Sequence, residues 1–547
     1  MANLEGTGPK RWQKLKLSFC WAVLLLAVFQ FSEDTADPDL WGHVIFGQET
    51  LRTQQFPKTE IYSWTAKGQP FMDHEWLSEV CLGGAHSLAG GSGLLLLKVL
   101  MGLATLGLGL RLGAARLTWP QRAVAWTVAA VAVVEISFGF AARPQIFTAL
   151  FLAIELWLLR RIHAGGRAWA AAMPLLFLLW INLHGGVLAG FGLLGLSAGM
   201  ATAQWLFSRI PKPSTPAGPN ASPTERPGAP DLKAVVCLWF SVAASALAML
   251  VNPWGMELLR WLVGSVLWLR PEIQEWNPTP LGWDHAAFFI LVAVTVFALA
   301  FSRRRRVWWE LAACGAFVIL GWRSVRNAPL CAIVVLALAP PHLADALERF
   351  RGHVARLEAL GREAGFQKFA TAFFLCAGLA SGVATFTLHK EHAFTIEVPA
   401  AQYPVGSLAF LRAHHLSGKM LVYFDWGEMV IFHLPDCPPS IDGRLDTCYS
   451  RELIDAHWKF FRGEPVDAKV LNLDEADLAL LPSSIAGGYA LAKRPGWKVV
   501  YYDDTAMLLV RNPDRFPALT QLTLPVAGPK SASRGRRAFA ARSERWK

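Results

Sequence analysis

The segment after the first apolar run gathers acidic and imidazole side chains at short spacing. It reads Glu33-Asp34-Thr35-Ala36-Asp37-Pro38-Asp39-Leu40-Trp41-Gly42-His43, and the loop it opens closes on Asp73-His74-Glu75-Trp76. Carboxylates and imidazoles exchange protons near neutral pH, and carboxylates also hold divalent cations such as Mg or Mn. Asp37 and Asp39 flank a proline whose fixed φ holds them in one local geometry. Asp39 and His43 are four residues apart, on one face of any helix that opens near Pro38. Asp37, Asp39 and His43 are the catalytic candidates, with Asp37 and Asp39 also the candidate metal pair. Asp73, His74 and Glu75 are candidate substrate contacts. A simpler reading makes Asp37 a helix N-cap, which leaves the other acidic and imidazole groups unexplained.

Further polar residues stand between apolar runs: Arg143-Pro144-Gln145, Asn182 with His184-Gly185-Gly186, Asn252-Pro253-Trp254-Gly255, and Arg323 with Arg326 and Asn327. A guanidinium is planar and permanently charged, which suits a phosphate, so Arg143, Arg323 and Arg326 are candidate phosphate contacts, with His184 beside them. The alternatives are structural: His184 ending a span, Asn-Pro-Trp-Gly as a turn, and arginines reaching to headgroups.

The elements that must position these residues are membrane helices. Of 547 residues, 53% are hydrophobic and only 17% charged, against about 25% in a soluble chain, which argues against a soluble or a disordered protein. Apolar runs recur at 17–32, 93–112, 122–142, 145–160, 168–182, 186–208, 233–251, 284–302, 307–322, 327–341 and 368–388. Most approach the roughly 17–25 residues a spanning helix needs. With the N-terminus inside, nearly every basic cluster falls on the inner side, from Lys10–Lys16 to Arg303–Arg306. The net charge of +11 therefore reads as a topology signal and gives no reason to expect a nucleic-acid partner. The stretch 76–90 is short and glycine-rich and reads as an outer interfacial helix. No cleavage pattern follows the first run, so it reads as an uncleaved span.

The expected organisation is a transmembrane domain over 1–388, with an outer loop at 33–92, an inner Pro/Ser/Gly-rich linker at 209–232 and an inner surface helix at 343–366. After residue 388 the pattern changes to alternating short strands and helices, a C-terminal α/β domain over 389–516 on the outer side. Met420–Phe424, Leu478–Leu481, Lys498–Tyr502 and Met507–Arg511 read as strands, and 517–547 as a disordered basic tail. Cys437 and Cys448 flank Ile441-Asp442-Gly443-Arg444, read as a strand and turn, and are expected to pair in an oxidising compartment.

An inside N-terminus, one span, an acidic outer motif, a Gly-x-Pro-Phe stretch and a second span ending in basic residues resemble the GT-C superfamily of polyprenyl-phosphate-sugar transferases. Asp37 stands where protein mannosyltransferases and the aminoarabinose transferase carry Asp-Glu. Asp37-Pro38 is similar to the Asp-Pro-aromatic of oligosaccharyltransferases, and Phe424-Asp425-Trp426-Gly427 resembles their Trp-Trp-Asp-Tyr-Gly, which makes Asp425 a substrate-contact candidate. The chain departs from the pattern: it has no Asp-Glu pair, and Asp73-His74-Glu75-Trp76 replaces a Lys-Pro-Pro. It also resembles bacterial multispan membrane proteins of unassigned activity that share DPDLW and DHEWL segments. The resemblance implies an α-helical polytopic fold of about eleven spans in a bacterial inner membrane. The implied activity is transfer of a sugar from a polyprenyl-phosphate donor to a glycan, lipid or protein acceptor on the outer side. A divalent cation is the one cofactor it suggests. Two other functions fit a multispan chain, a scaffold whose outer domain binds envelope polymer and a transporter. The crowding of carboxylates in one loop favours an enzyme.

Overall fold

The computed structural model describes residues 7–115, 117–118, 121–210, 230–267, 273–350, 363–389, 394–519 and 536–538. The chain divides into two compact units. One comprises Met1–Glu33, Lys98–Phe140 and Gln145–Leu388; the other comprises Asp34–Leu97, Ala141–Pro144 and His389–Lys547. In this division the segment Asp34–Leu97, which holds most of the expected outer loop, groups with His389–Lys547.

The first unit is helical. Leu, Ala, Val and Phe dominate its segments, and a helix satisfies every backbone group within the segment, which an apolar surrounding demands. Each of the eleven apolar ranges falls on helical structure. Among the described residues five helices are long and apolar enough to cross a membrane: Arg11–Phe31, Trp76–Gly113, Val187–Arg209, Trp283–Phe301 and Ala364–His389. A sixth arises if Val325–Leu338 and Pro340–Arg349, bent by 59° around the proline, are one span. Others are shorter, such as Trp308–Arg323 with 16 residues, about 24 Å at the usual rise. In the helix Ala364–His389 only 6% of the apolar window is buried, and Phe369, Phe373, Leu379 and Phe386 are exposed. Such a surface is costly in water and suits lipid.

Trp76–Gly113 is two helices that meet at a break at Ala89 and Gly90, where Gly90 has φ +58°, so the stretch at 76–90 is a helix separate from the run at 93–112, as expected. A residue without Cβ takes that conformation at little cost, so the glycine places the break. The expected linker falls almost wholly outside the described residues; of the expected inner surface helix, 351–362 lies outside them, its start is in the helix Pro340–Arg349 and 364–366 open the helix Ala364–His389.

The second unit carries a four-stranded sheet in the order β2-β3-β5-β4, with β2 Met420–Val422, β3 Leu478–Pro482, β4 Trp497–Tyr502 and β5 Ala506–Arg511. β2 and β3 are parallel; β3–β5 and β4–β5 are antiparallel, with an irregularity between Val499 and Tyr501. All four strands lie where the alternation predicts them. The helix Arg451–Arg462 opens on Ser450, whose side chain accepts from Leu453 N–H, and ends on Gly463 in the left-handed region. β1, Glu397–Pro399, pairs antiparallel with β6, Arg536–Ala538. Those three tail residues are therefore a strand, contrary to the expected disorder; the tail around them lies outside the described residues.

Two further expectations fail here. Cys437 and Cys448 are separate buried thiols. Cys437 Sγ donates to Leu416 O at 3.5 Å, which ties it to a different neighbourhood. Residues 441–444 are not a strand but an irregular segment that the next section shows to be fixed by an arginine.

Candidate functional site

The acidic motif is held as an extended segment. Ala36 N–H donates to Glu397 O at 2.7 Å, and Glu397 N–H returns a bond to Asp34 O at 2.7 Å. Tyr403 hydroxyl donates to Ala36 O at 2.8 Å, and its ring meets Trp41 edge-on. The chain then turns: Asp37 Oδ1 accepts Asp39 N–H at 3.1 Å, and the helix Leu40–Thr53 begins. Asp39, not Asp37, is the N-cap residue, and its side chain makes no capping bond. Both aspartates are turned to another task. Arg143 Nε pairs with Asp37 Oδ1, and Arg143 Nη2 lies 2.8 Å from Asp39 Oδ2. The guanidinium forks across the two carboxylates, in the planar two-point geometry that arginine favours. Arg143, expected at a phosphate, is thus engaged by the acidic motif itself.

Two more carboxyls join this pair. Asp425 lies in the turn Phe424–Trp426, anchored by Trp426 Nε1 donating to Gln402 O at 3.0 Å. Burial, and then the charge of Asp37, push its carboxyl above the usual range, while the Tyr423 hydroxyl and Arg143 draw it back. Glu428 follows on the helix Gly427–His433 and accepts Gly42 N–H at 3.1 Å. Burial first, then the charges of Asp39 and Asp442, push its carboxyl well up. Burial thus favours the uncharged form of this carboxyl.

Glycines let these backbones meet. A Cβ at Gly42 would overlap the Glu428 carboxyl, and one at Gly443 would overlap Asp39 Oδ1 and lie 2.9 Å from Glu428 Oε1. Gly443 is placed by its neighbours. Arg444 pairs bidentately with Asp442 at 2.8 and 2.7 Å, also pairs with Glu60, and lies over the rings of Phe46, Tyr62 and Phe71 at 5.0, 5.2 and 5.1 Å. Burial opposes ionisation of Asp442, but the guanidinium holds its carboxyl below the usual range. Tyr449 hydroxyl adds a bond to Asp442 Oδ2 at 2.5 Å.

The remaining candidates of this unit form a neighbouring group. His43 does not face Asp39; its Nδ1 lies 3.2 Å from Glu79 Oε1. Asp73 is buried, its Oδ1 accepting Glu75 N–H at 3.2 Å, and burial with the nearby Glu79 charge pushes it well up. His74 pairs with Glu75 at 3.4 Å. In the helical unit, His184 is buried where the helix Ala172–Leu183 ends. Its Nδ1 accepts Gly186 N–H at 3.0 Å and lies 2.7 Å from Thr148 Oγ1. Its Nε2 lies 3.3 Å from Arg326 Nη2, and Arg326 stacks on Trp276 at 5.0 Å. Arg323 is exposed.

Glu428, Gly42, Gly443 and Tyr403 are site residues that the sequence reading misses. Glu428 directly follows the Phe-Asp-Trp-Gly segment, so the signal was one residue away. Among the described residues no group of three or more His, Cys, Asp or Glu is arranged to hold a metal. Asp37 and Asp39 already share a cation in Arg143. With Arg143 between them, Asp37 and Asp39 present a positive group where a divalent ion would have to lie.

No protein-family model matches the sequence, and no curated protein matches it. Solved structures do. The Archaeoglobus fulgidus oligosaccharyltransferase tethered with an acceptor peptide matches at TM-score 0.51 and 13% identity, covering 86% of this chain and 69% of that one. ArnT, an aminoarabinose transferase, from Cupriavidus metallidurans in the apo state matches at TM-score 0.51 and 14% identity, covering 89% and 96%. The same protein bound to undecaprenyl phosphate aligns at TM-score 0.49 and 13% identity, covering 90% and 97%. The fold is the GT-C fold. At these identities the likeness speaks for architecture, and function rests on the site.

Proposed function

We propose that this GT-C-fold chain is a membrane glycosyltransferase. It moves a sugar from a polyprenyl-phosphate-linked donor to an envelope acceptor on the outer side of a bacterial inner membrane. The observation that carries the reading is the gathering of Asp37, Asp39, Arg143, Asp425 and Glu428 on one small patch of the second unit, drawn from three distant stretches of sequence.

The chemistry asks for a base and for stabilisation of a leaving phosphate. The acceptor oxygen attacks the anomeric carbon as the bond to the phosphate oxygen breaks, through an oxocarbenium-like state. The acceptor proton passes to Asp37, whose Oδ1 is engaged by Arg143 and Asp39 N–H, which leaves Oδ2 to receive it. Burial disfavours charge on Asp425 and Glu428, which limits their repulsion of a sugar phosphate. In the helical unit, the Arg326 guanidinium donates toward His184 Nε2, which holds it in place. Arg326 with the exposed Arg323 is the proposed lipid-phosphate contact.

The test compares lipid-linked sugars in cells with and without the protein. Loss of the chain should leave a polyprenyl-phosphate sugar accumulated, and wild-type protein, but not Asp37→Asn, should clear it. An unchanged lipid profile would favour a scaffold that binds polymer without transfer.

A further inference from the structure

We propose that Arg143 is the resident cation of the acidic motif: its guanidinium occupies the place between Asp37 and Asp39 that a divalent ion would take, and the site is built to work without a metal. The inference rests on the reading that chemistry gathers at Asp37 and Asp39, and it deepens it.

The geometry is that of a filled site. Two carboxylates two residues apart, fixed across Pro38, face the same guanidinium through different nitrogens, Nε to Asp37 and Nη2 to Asp39. The side chains of Asp37 and Arg143 are 15% and 16% exposed, so the pair is shielded from water and the attraction is stronger than on an open surface. Hard divalent cations take six or more oxygen ligands at short range. To bind here, one would have to lie within contact of carboxylates already holding a positive group, and would meet that group's repulsion.

The arrangement depends on an arginine that comes from elsewhere in the chain. Arg143 sits in the four-residue segment Ala141–Pro144, which clusters with the second unit although the helices on either side do not. Its backbone is tied by Arg143 N–H to Ala141 O at 2.8 Å. The segment thus delivers one side chain to the acidic motif, which a bound ion would make unnecessary.

The test counts Mn²⁺ bound by the purified full-length protein in detergent, by the loss of the free-ion electron paramagnetic resonance signal. Wild-type protein should bind no more Mn²⁺ than Asp37→Asn/Asp39→Asn. Arg143→Met, which keeps length but removes charge, should gain one Mn²⁺ per chain, and adding Asp37→Asn should remove it. Arg143→Lys keeps a positive charge and should stay metal-free. Mn²⁺ bound by wild type and lost in the double Asn variant would overturn the proposal, as would a folded Arg143→Met that gains none. If Arg143→Met does not fold, the wild-type comparison alone decides. The count needs no donor. A chain that behaves as expected here yet transfers no sugar would remove the functional reading and leave this one standing.

Discussion

Asp37 shows how a residue can be legible in type and misread in role. The sequence offers two readings, base or helix cap, and the structure gives the cap position to Asp39 instead. Asp39 then leaves that position's usual bond unmade and turns to Arg143. Asp37, Asp39, Asp425 and Arg143 were all visible as chemistry-bearing residues, because polar groups stand out in an apolar chain. Glu428 was not, since its partner Gly42 lies 386 residues away and no local pattern links them. His43 was paired by helical spacing with Asp39, yet burial and a nearby acid claimed its ring for Glu79. A carboxylate base contributes about 10²–10⁴ in rate, or about 3–5 kcal/mol of barrier. Asp37→Asn keeps the oxygen that accepts Asp39 N–H and removes the base. It should lower transfer by that factor while the protein still accumulates in the membrane. Transfer rate and thermal unfolding, measured together, separate the outcomes. Full activity would leave Asp37 a turn residue that positions Arg143.

At the scale of elements, the site is a meeting of three backbones: the start of the helix Leu40–Thr53, the helix Gly427–His433, and the irregular segment at 441–444. Strands and helices of the C-terminal region were legible because their apolar alternation is local. The segment at 441–444 was misread as a strand and turn, because what fixes it is Arg444 inside a cage of Phe46, Tyr62 and Phe71, contributed by a loop far away in sequence. A guanidinium among aromatic faces and two carboxylates is a strong anchor. It holds Gly443 against Asp39 and Glu428. Gly443→Ala should therefore push Asp39 off Arg143, destabilise the protein by about 1–3 kcal/mol, as overpacking does, and reduce transfer. Gly192→Ala is the control, since a Cβ there meets nothing within 4 Å and Ala favours a helix. It should leave both rate and unfolding temperature unchanged or slightly raised. A Gly443→Ala protein as active and stable as wild type would show that the backbones have more room than their spacing implies.

For the molecule as a whole, the composition of the second unit constrains the topology more tightly than hydropathy does. Among the described residues only five helices are long and apolar enough to span, yet Asp34–Leu97, Ala141–Pro144 and His389–Lys547 form one compact unit. A compact unit with a small sheet of its own is expected to lie on one side of a bilayer. The stretches Lys98–Phe140 and Gln145–Leu388 must then each contribute an even number of crossings, counting the end of Trp76–Gly113 with the first. The eleven spans expected from the sequence meet that parity: one before Asp34, two between the first and second segments, and eight between the second and third. Helices shorter than about 20 residues would then span by relying on neighbours and interfacial side chains, at modest cost. By the positive-inside trend, the basic clusters lead one to expect the N-terminus inside and the unit outside. Alkaline phosphatase, which works only outside the cytoplasm, should be active when fused after Lys547 and also when inserted after Gly68, a loop residue whose Cβ position is open. A fluorescent protein that matures only in the cytoplasm should be dark at the same places. Opposite results at the two positions would break the parity argument. Cytoplasmic signal at both would keep the parity and invert the molecule, and with it the side on which any transfer takes place.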